Sequence, residues 1–167
     1  DVRLVLDHEL QSLHNLPRDQ VDYGGLYENF FPIARKSFQR FSTNQSVLDH
    51  LYGSFSSFLE KNKEWLTPYC HFQSLKKEYN NLPWWEWPSD YNHDIELVRE
   101  DPEFKFHQYL QYVFRGQWSK LKEYAESKNI KLIGDLPIYC APDSSDVWSA
   151  PELFEIDVES SFFTNVA

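Results

Sequence analysis

The sequence predicts an α/β chain in which helix dominates, and three observations predict it. Apolar residues recur at helical spacing over 27–41 and again over 47–66. A third helical run, opened by Asp101-Pro102-Glu103, extends to Ser127. The period then changes: Ile130-Lys131-Leu132-Ile133 is a short β-favouring run, stopped by Gly134-Asp135-Leu136-Pro137. A long helix, a brief joint and a buried-type strand make half of an α/β repeat.

Taken in order, residues 1–20 read as a short element followed by a connector around Leu16-Pro17-Arg18-Asp19. Tyr27, Phe30, Phe31, Ala34, Phe38 and Phe41 then describe one helical face. Pro32 interrupts it, so the regular helix is expected to begin there, with proline in its first turn. Ser42-Thr43-Asn44 is read as its end, with Asn44 or Ser46 capping a helix that carries Val47, Leu51, Phe55, Phe58, Leu59 and Trp65-Leu66. Thr67-Pro68 suits a fresh helix start. Residues 79–93 hold two prolines and three tryptophans and predict a compact, aromatic-packed loop. In the run from Asp101, Phe106, Leu110, Val113, Phe114, Trp118, Leu121 and Ala125 share a side.

Composition excludes some classes. The chain has 167 residues, a formal charge of −10 and an apolar fraction of 41 %, enough for a packed core. Residues 91–167 carry 14 acids and 7 bases, and from Gly134 onward there are seven acids and no Lys or Arg. Such a field repels phosphates, so neither nucleic acid nor an anionic membrane is expected as a partner. No apolar run approaches the roughly 20 residues that span a bilayer. The 6 Trp, 10 Tyr and 13 Phe are an unusual surplus of rings, which serve as core and also as flat faces for sugars or bases. The chain contains no methionine and opens on Asp1, which is read as processing or as an internal piece of a longer product.

Few residues point to chemistry. The C-terminal end of a strand in an α/β unit faces the active side, which makes Asp135 a candidate for handling ligand; a loop cap is the competing role. Asp143-Ser144 reads as caps or as the rim of a site, Ser149-x-x-Glu152 as a capping box, and Trp148 as a packing residue. The carboxylates at 135, 143 and 146 depart from calcium-loop spacing. Cys70 and Cys140 form no C-x-x-C pattern and the six histidines no H-x-x-x-H pair, so no metal and no cofactor is expected. Two unpaired thiols suit a reducing compartment, with a lone disulfide as the alternative.

The run from Phe106 to Phe154 resembles the amylomaltases, the 4-α-glucanotransferase (disproportionating enzyme) family of the α-amylase clan. The matching stretches are Phe106-His107-Gln108-Tyr109-Leu110-Gln111-Tyr112, Gln117-Trp118-x-x-Leu121-Lys122-x-Tyr124-Ala125 and Ile133-Gly134-Asp135-Leu136-Pro137-Ile138-Tyr139. Asp143-Ser144-Ser145-Asp146-Val147-Trp148 and Pro151-Glu152-Leu153-Phe154 follow. Upstream, Val21-Asp22-Tyr23-Gly24-Gly25-Leu26-Tyr27 and Leu82-Pro83-Trp84-x-x-Trp87-Pro88 are similar in the same order; residues 42–80 show no family motif.

The resemblance implies a fragment of a (β/α)8 TIM barrel, mostly a helical insertion subdomain plus the third barrel strand. It divides the chain into a connector (1–20), the insertion (21–103) and a barrel segment of helix, strand and following loop (104–167). A whole barrel needs about 250 residues. The implied reaction transfers α-1,4-glucan segments between maltooligosaccharides, with retention, through a covalent glycosyl–enzyme intermediate. The family's nucleophile lies in an Arg-x-Asp-His motif that has no match here, and the Gly-Val-Pro-Pro-Asp-type loop is expected just beyond Val166-Ala167. No catalytic residue is therefore assigned. On the substrate side, Asp135 resembles the family's aspartate at the end of the third strand, and Tyr27 resembles a tyrosine of a secondary glucan site; Tyr27 also heads the apolar helical face.

The expectation is thus a piece of a cytoplasmic glucanotransferase, inactive by itself, with maltooligosaccharides or other α-1,4-glucans as partners and self-association of the isolated piece. The rival readings are a non-catalytic helical carbohydrate-binding or interaction module, and another barrel glycosidase sharing only the strand motif.

Overall fold

The computed structural model describes residues 4–88, 98–136 and 138–155. Residues 89–93 of the expected loop, Pro137 of the stop motif and Val166-Ala167 lie outside the described residues. A 3-10 turn (Asp7–Leu10) leads into α1 (Gln11–His14), then α2 (Tyr23–Tyr52) and α3 (Phe55–Glu78). A second 3-10 turn (Trp84–Glu86) precedes α4 (Pro102–Ser127), α5 (Ser145–Ser149) and a last 3-10 turn (Pro151–Leu153).

Helix α2 begins nine residues before Pro32, where Asp22 Oδ1 accepts the Gly25 N–H at 2.8 Å. It also runs through Ser42-Thr43-Asn44. There Thr43 Oγ1 and Asn44 Nδ2 donate back to the Arg40 carbonyl at 3.0 and 2.8 Å, so these side chains serve their own helix instead of ending it. The break falls at Gly53, whose φ of 87° is open to glycine without strain, and Ser54 caps α3 by accepting the Ser57 N–H. Pro68 likewise sits inside α3 and starts nothing new. An interior proline costs about 3 kcal/mol, a deficit offset by packing on either side: Ile33 and Ala34 beside Pro32, Leu66 and Cys70 around Pro68, all buried.

Helix α4 starts as expected, with Asp101 accepting the Glu103 N–H and Pro102 in the first turn. Its inner face is the spine of the core. Phe106, Tyr109 and Tyr112 meet Ala34, Phe41 and Leu48 of α2, and Phe104 meets Leu66 and Cys70 of α3. Tyr112 lies level with Phe55 and Phe58 while Tyr69 lies level with His107, so α3 and α4 are antiparallel. The N-terminal segment is held by Arg40, which donates to the Leu4 carbonyl and to both carboxylate oxygens of Glu9 at 2.6 and 2.8 Å. The Arg40 hydrogen bonds, with one from the Leu6 N–H, hold the Glu9 carboxyl down at about 2.

The tryptophan loop folds onto the end of α3. Phe72, Leu75 and Trp87 form a third cluster in which Trp148 packs, as the sequence led us to expect. Trp84 Nε1 donates to the Pro142 carbonyl, and Asp143 accepts from Lys76 Nζ at 2.6 Å and the Trp84 N–H at 3.3 Å. Asp143 is therefore a tie between distant segments and not a cap; Ser144 caps α5. The Ser149–Glu152 capping box does not form, because Ala150 occupies the N-cap of the last turn and Ser149 donates to Asp146.

The described residues are helical with no strand among them, which departs from the α/β expectation at one place. Residues 130–136 follow α4 as an exposed segment outside any ladder, with Ile133 97 % and Leu136 84 % exposed. A strand exists only through hydrogen bonds to a neighbouring strand, and no such neighbour is present among the described residues.

Gly116 of α4 packs directly under Tyr52: a Cβ there would lie 2.2 Å from the ring Cγ and 2.7 Å from the Tyr52 Cβ. Gly116→Ala is expected to destabilise by about 1–3 kcal/mol despite alanine's better helix propensity. Thermal unfolding followed by circular dichroism should show a midpoint lower by about 3–10 °C; an unchanged or raised midpoint contradicts this packing.

Candidate functional site

The first half of α2, the last turns of α3 and the start of α4 border a groove of about 450 Å³. Tyr27 and Phe31, one turn apart on α2, meet edge to face at 5.1 Å, and Tyr27 is 64 % exposed. The sequence left Tyr27 between core and surface; the structure puts it on the surface, at the lip of this groove. Gln73 and Lys77 enter from α3, Glu103 and His107 from α4.

The groove's electrostatics centre on Glu103. Arg35 Nη2 donates to Glu103 Oε1 at 2.7 Å, and the same guanidinium lies 4.3 Å above the Phe106 ring. His107 Nε2 stands 3.2 Å from the same carboxylate oxygen. Burial pushes the Glu103 carboxyl up, but the Arg35 hydrogen bond and charge, with His107, outweigh it and hold the carboxyl below its usual value. Burial lowers His107 below the ordinary 6.5, against the pull of Glu103. A neutral His107 facing a carboxylate carries its proton on Nε2, which leaves Nδ1 as a buried acceptor without a hydrogen-bond partner among the described residues. The arrangement orients donors and a ring, and its Glu103 carboxylate is held by Arg35 and His107. The one nearby thiol, Cys70, is buried and pushed up to about 12.

Asp135 lies elsewhere. It is exposed in the segment after α4 and does not line this groove, so the structure does not bring Asp135 and Tyr27 together. Among the described residues no group of three His, Cys, Asp or Glu is placed to hold a metal ion, and no helix is long and apolar enough to cross a membrane. Sequence reasoning missed the Arg35–Glu103–His107 network. Its one visible trace was the Glu103-x-x-x-His107 spacing, a helical i,i+4 pair; Arg35 comes from 68 residues away.

Comparisons with known proteins agree with one another. The family model described as 4-alpha-glucanotransferase matches residues 2–161. A 4-alpha-glucanotransferase of Clostridium butyricum is 36 % identical over 149 residues, covering 86 % of this chain and 29 % of the relative. One of Thermus thermophilus is also 36 % identical over 149 residues, with the same coverages of 86 % and 29 %. Among solved structures, an amylomaltase from Streptococcus agalactiae in complex with acarbose superposes with a TM-score of 0.72 at 32 % identity, over 89 % of this chain and 31 % of that one. The chain thus spans less than a third of the length of each of these proteins.

The groove makes stability pH-dependent with a definite sign. Because His107 titrates lower folded than unfolded, the unfolded chain takes up its proton first, and stability falls as pH drops below about 6.5. Glu103, depressed in the fold, adds a further loss on acidification through the carboxylate range. His107→Gln should therefore show a smaller drop in thermal midpoint between pH 7.5 and 5.5 than the parent chain. Equal drops would remove His107 from this account.

Proposed function

The chain belongs to the 4-alpha-glucanotransferase family, and on that premise we propose that it forms part of an enzyme moving α-1,4-glucan segments between maltooligosaccharides. The reading is carried by the family match and by the fold it shares with an amylomaltase that was solved with acarbose. Nothing in the comparisons favours a stand-alone binding module or a different glycosidase.

The transfer proceeds with retention. One carboxylate attacks the anomeric carbon and the glycosidic bond breaks while a second carboxyl group, about 5–5.5 Å away, protonates the leaving oxygen. The 4-hydroxyl of an acceptor glucan then displaces the enzyme carboxylate, giving its proton to the second group. Both carboxyl groups come from the portion of the enzyme that this chain does not span. This chain supplies scaffold and substrate contacts: Tyr27 as a ring against which a glucose stacks, and Asp135 as a carboxylate oriented toward substrate.

Residues 130–135 take the place of the third barrel strand, within a barrel segment of 104–167, and residues 21–103 are the helical insertion, reached through a connector of 1–20. Two features support this placement. Phe114, Trp118, Leu121 and Tyr124 form an exposed stripe along α4, from 40 to 62 % accessible, on a helix whose inner face is already packed. Ile133, Leu136 and Ile138 beyond it are each at least 84 % exposed. Remaining barrel elements cover both. The cytoplasm is the proposed compartment, supported by the two free thiols of Cys70 and Cys140.

Maltotriose incubated with this chain alone should give no longer products and no glucose; redistribution of chain lengths would overturn the division of labour. In the longer enzyme, Asp135→Ala should lower transfer at least tenfold with little change in thermal midpoint, and unchanged turnover would leave Asp135 a loop residue. The isolated chain should also self-associate through its bare stripe. Light scattering should report more than one copy, and Trp118→Glu with Leu121→Glu should restore the monomer; a parent chain that is strictly monomeric sinks this point.

A further inference from the structure

A second groove, of about 310 Å³, lies at the corner where α2 gives way to α3, against α4. It is at the lower end of the size of small-molecule sites. Tyr52 forms one wall, held in place by Gly116 beneath it. Ser57, Lys61 and Asn62 line it from α3, Arg115 and Ser119 from α4. No carboxylate is in the lining, in a chain whose net charge is −10. Lys61 and Arg115 have no ion pair among the described residues, whereas Arg35, Arg40, Lys76 and Lys105 each have one. The groove is therefore a concentration of hydrogen-bond donors that the protein leaves unspent.

It continues onto an indole. Asn62 donates through Nδ2 to the Phe58 carbonyl at 2.7 Å, which orients its amide, and its Oδ1 accepts the Trp65 Nε1–H at 3.1 Å. The only polar side-chain atom of Trp65 is thus satisfied within the protein while the residue stays 48 % exposed, so what its side chain offers to solvent is ring carbon. An exposed aromatic surface beside a row of donors matches the two sides of a sugar: an apolar C–H face that stacks on a ring, and hydroxyl oxygens that accept hydrogen bonds. The two grooves share no lining residue, and Tyr69 stands between them, its ring 6.4 Å from Trp65 and 6.0 Å from His107 of the Tyr27 groove.

We propose that the Trp65 indole and the Lys61–Arg115 groove form a second surface site for a neutral α-1,4-glucan, built from residues other than those of the Tyr27 groove. The proposal rests on the glucan-handling function above and adds a position to it.

The test uses the full 167-residue chain with 15N-labelled tryptophan, the Trp65 indole N–H resonance being assigned by its loss in Trp65→Phe. Maltoheptaose should shift that resonance saturably. Lys61→Gln combined with Arg115→Gln should weaken this binding at least fivefold, and Tyr27→Ala should leave it unchanged. If maltoheptaose moves only signals that Tyr27→Ala abolishes, the second site fails and the glucan reading stands. If inorganic phosphate shifts the Trp65 resonance and maltoheptaose does not, the groove is an anion site and the proposal is overturned. If maltoheptaose binds at neither place, the second site and the glucan contact assigned to Tyr27 fall together.

Discussion

The tertiary structure hangs on what Tyr112 does at the corner between α2 and α3. Its hydroxyl reaches the Gly53 carbonyl at 2.8 Å and Asp49 Oδ1 at 3.2 Å, and the same Asp49 oxygen accepts the Phe55 N–H at 2.9 Å. Tyr112 of α4 thereby satisfies the Gly53 carbonyl at the break, and Asp49 of α2, which it also touches, satisfies the first free N–H beyond it. The ring lies 5.1–6.1 Å from those of Phe41, Tyr52, Phe55 and Phe58, so it also fills the space that the two helices leave between them. Burial, and then the neighbouring Asp49 charge, push the phenol up, which keeps the proton that this contact needs. Without it the chain has two long helices and a glycine joint of undetermined angle. With it, α2 and α3 are each fixed against α4.

Both grooves follow from that constraint. The Tyr27 groove needs Arg35 of α2 to reach Glu103 of α4, and residues of α3 to close the third side. The second needs Tyr52, at the end of α2, to sit over Gly116 of α4 while the first turns of α3 run alongside. The first ties its Glu103 carboxylate to Arg35 and His107, the second has no carboxylate in its lining, and each contains rings and donors. Under the proposed function this suits a chain that spans under a third of its relatives.

The helical periodicity was legible wherever rings and aliphatics repeated, and so were the Asp101-Pro102-Glu103 start and the packing role of Trp148. The joints were not. Ser42-Thr43-Asn44 and Thr67-Pro68 carry strong local signals for ends and starts, yet both lie mid-helix, because burial of Phe41, Leu48, Leu66 and Cys70 on either side outweighs a local preference of a few kcal/mol. Gly53, the true break, looked like an ordinary residue within a helical run; its role depends on Tyr112, 59 residues away. The same distance problem hid Arg35 and the Lys61–Arg115 pairing, since charge converging from separate helices leaves no trace in spacing. Asp135 was singled out by its place after the β-favouring run and by family resemblance. Among the described residues it lies in an exposed segment with no strand beside it.

On the proposed reading, two weak glucan contacts, one at Tyr27 and one at Trp65, have a consequence that neither has alone. A single exposed ring with a few solvent-facing donors binds a neutral sugar modestly, because water competes for every hydroxyl and the ring contributes roughly 1 kcal/mol beyond its buried area. A polymer long enough to touch both converts the second contact into an intramolecular event, with an effective concentration in the millimolar range when the chain length matches the span. Short oligosaccharides gain nothing from the pair; long glucans gain up to orders of magnitude in retention. Under the proposed function, that asymmetry would keep long chains near a site that must exclude water and let the short fragments of each transfer diffuse away.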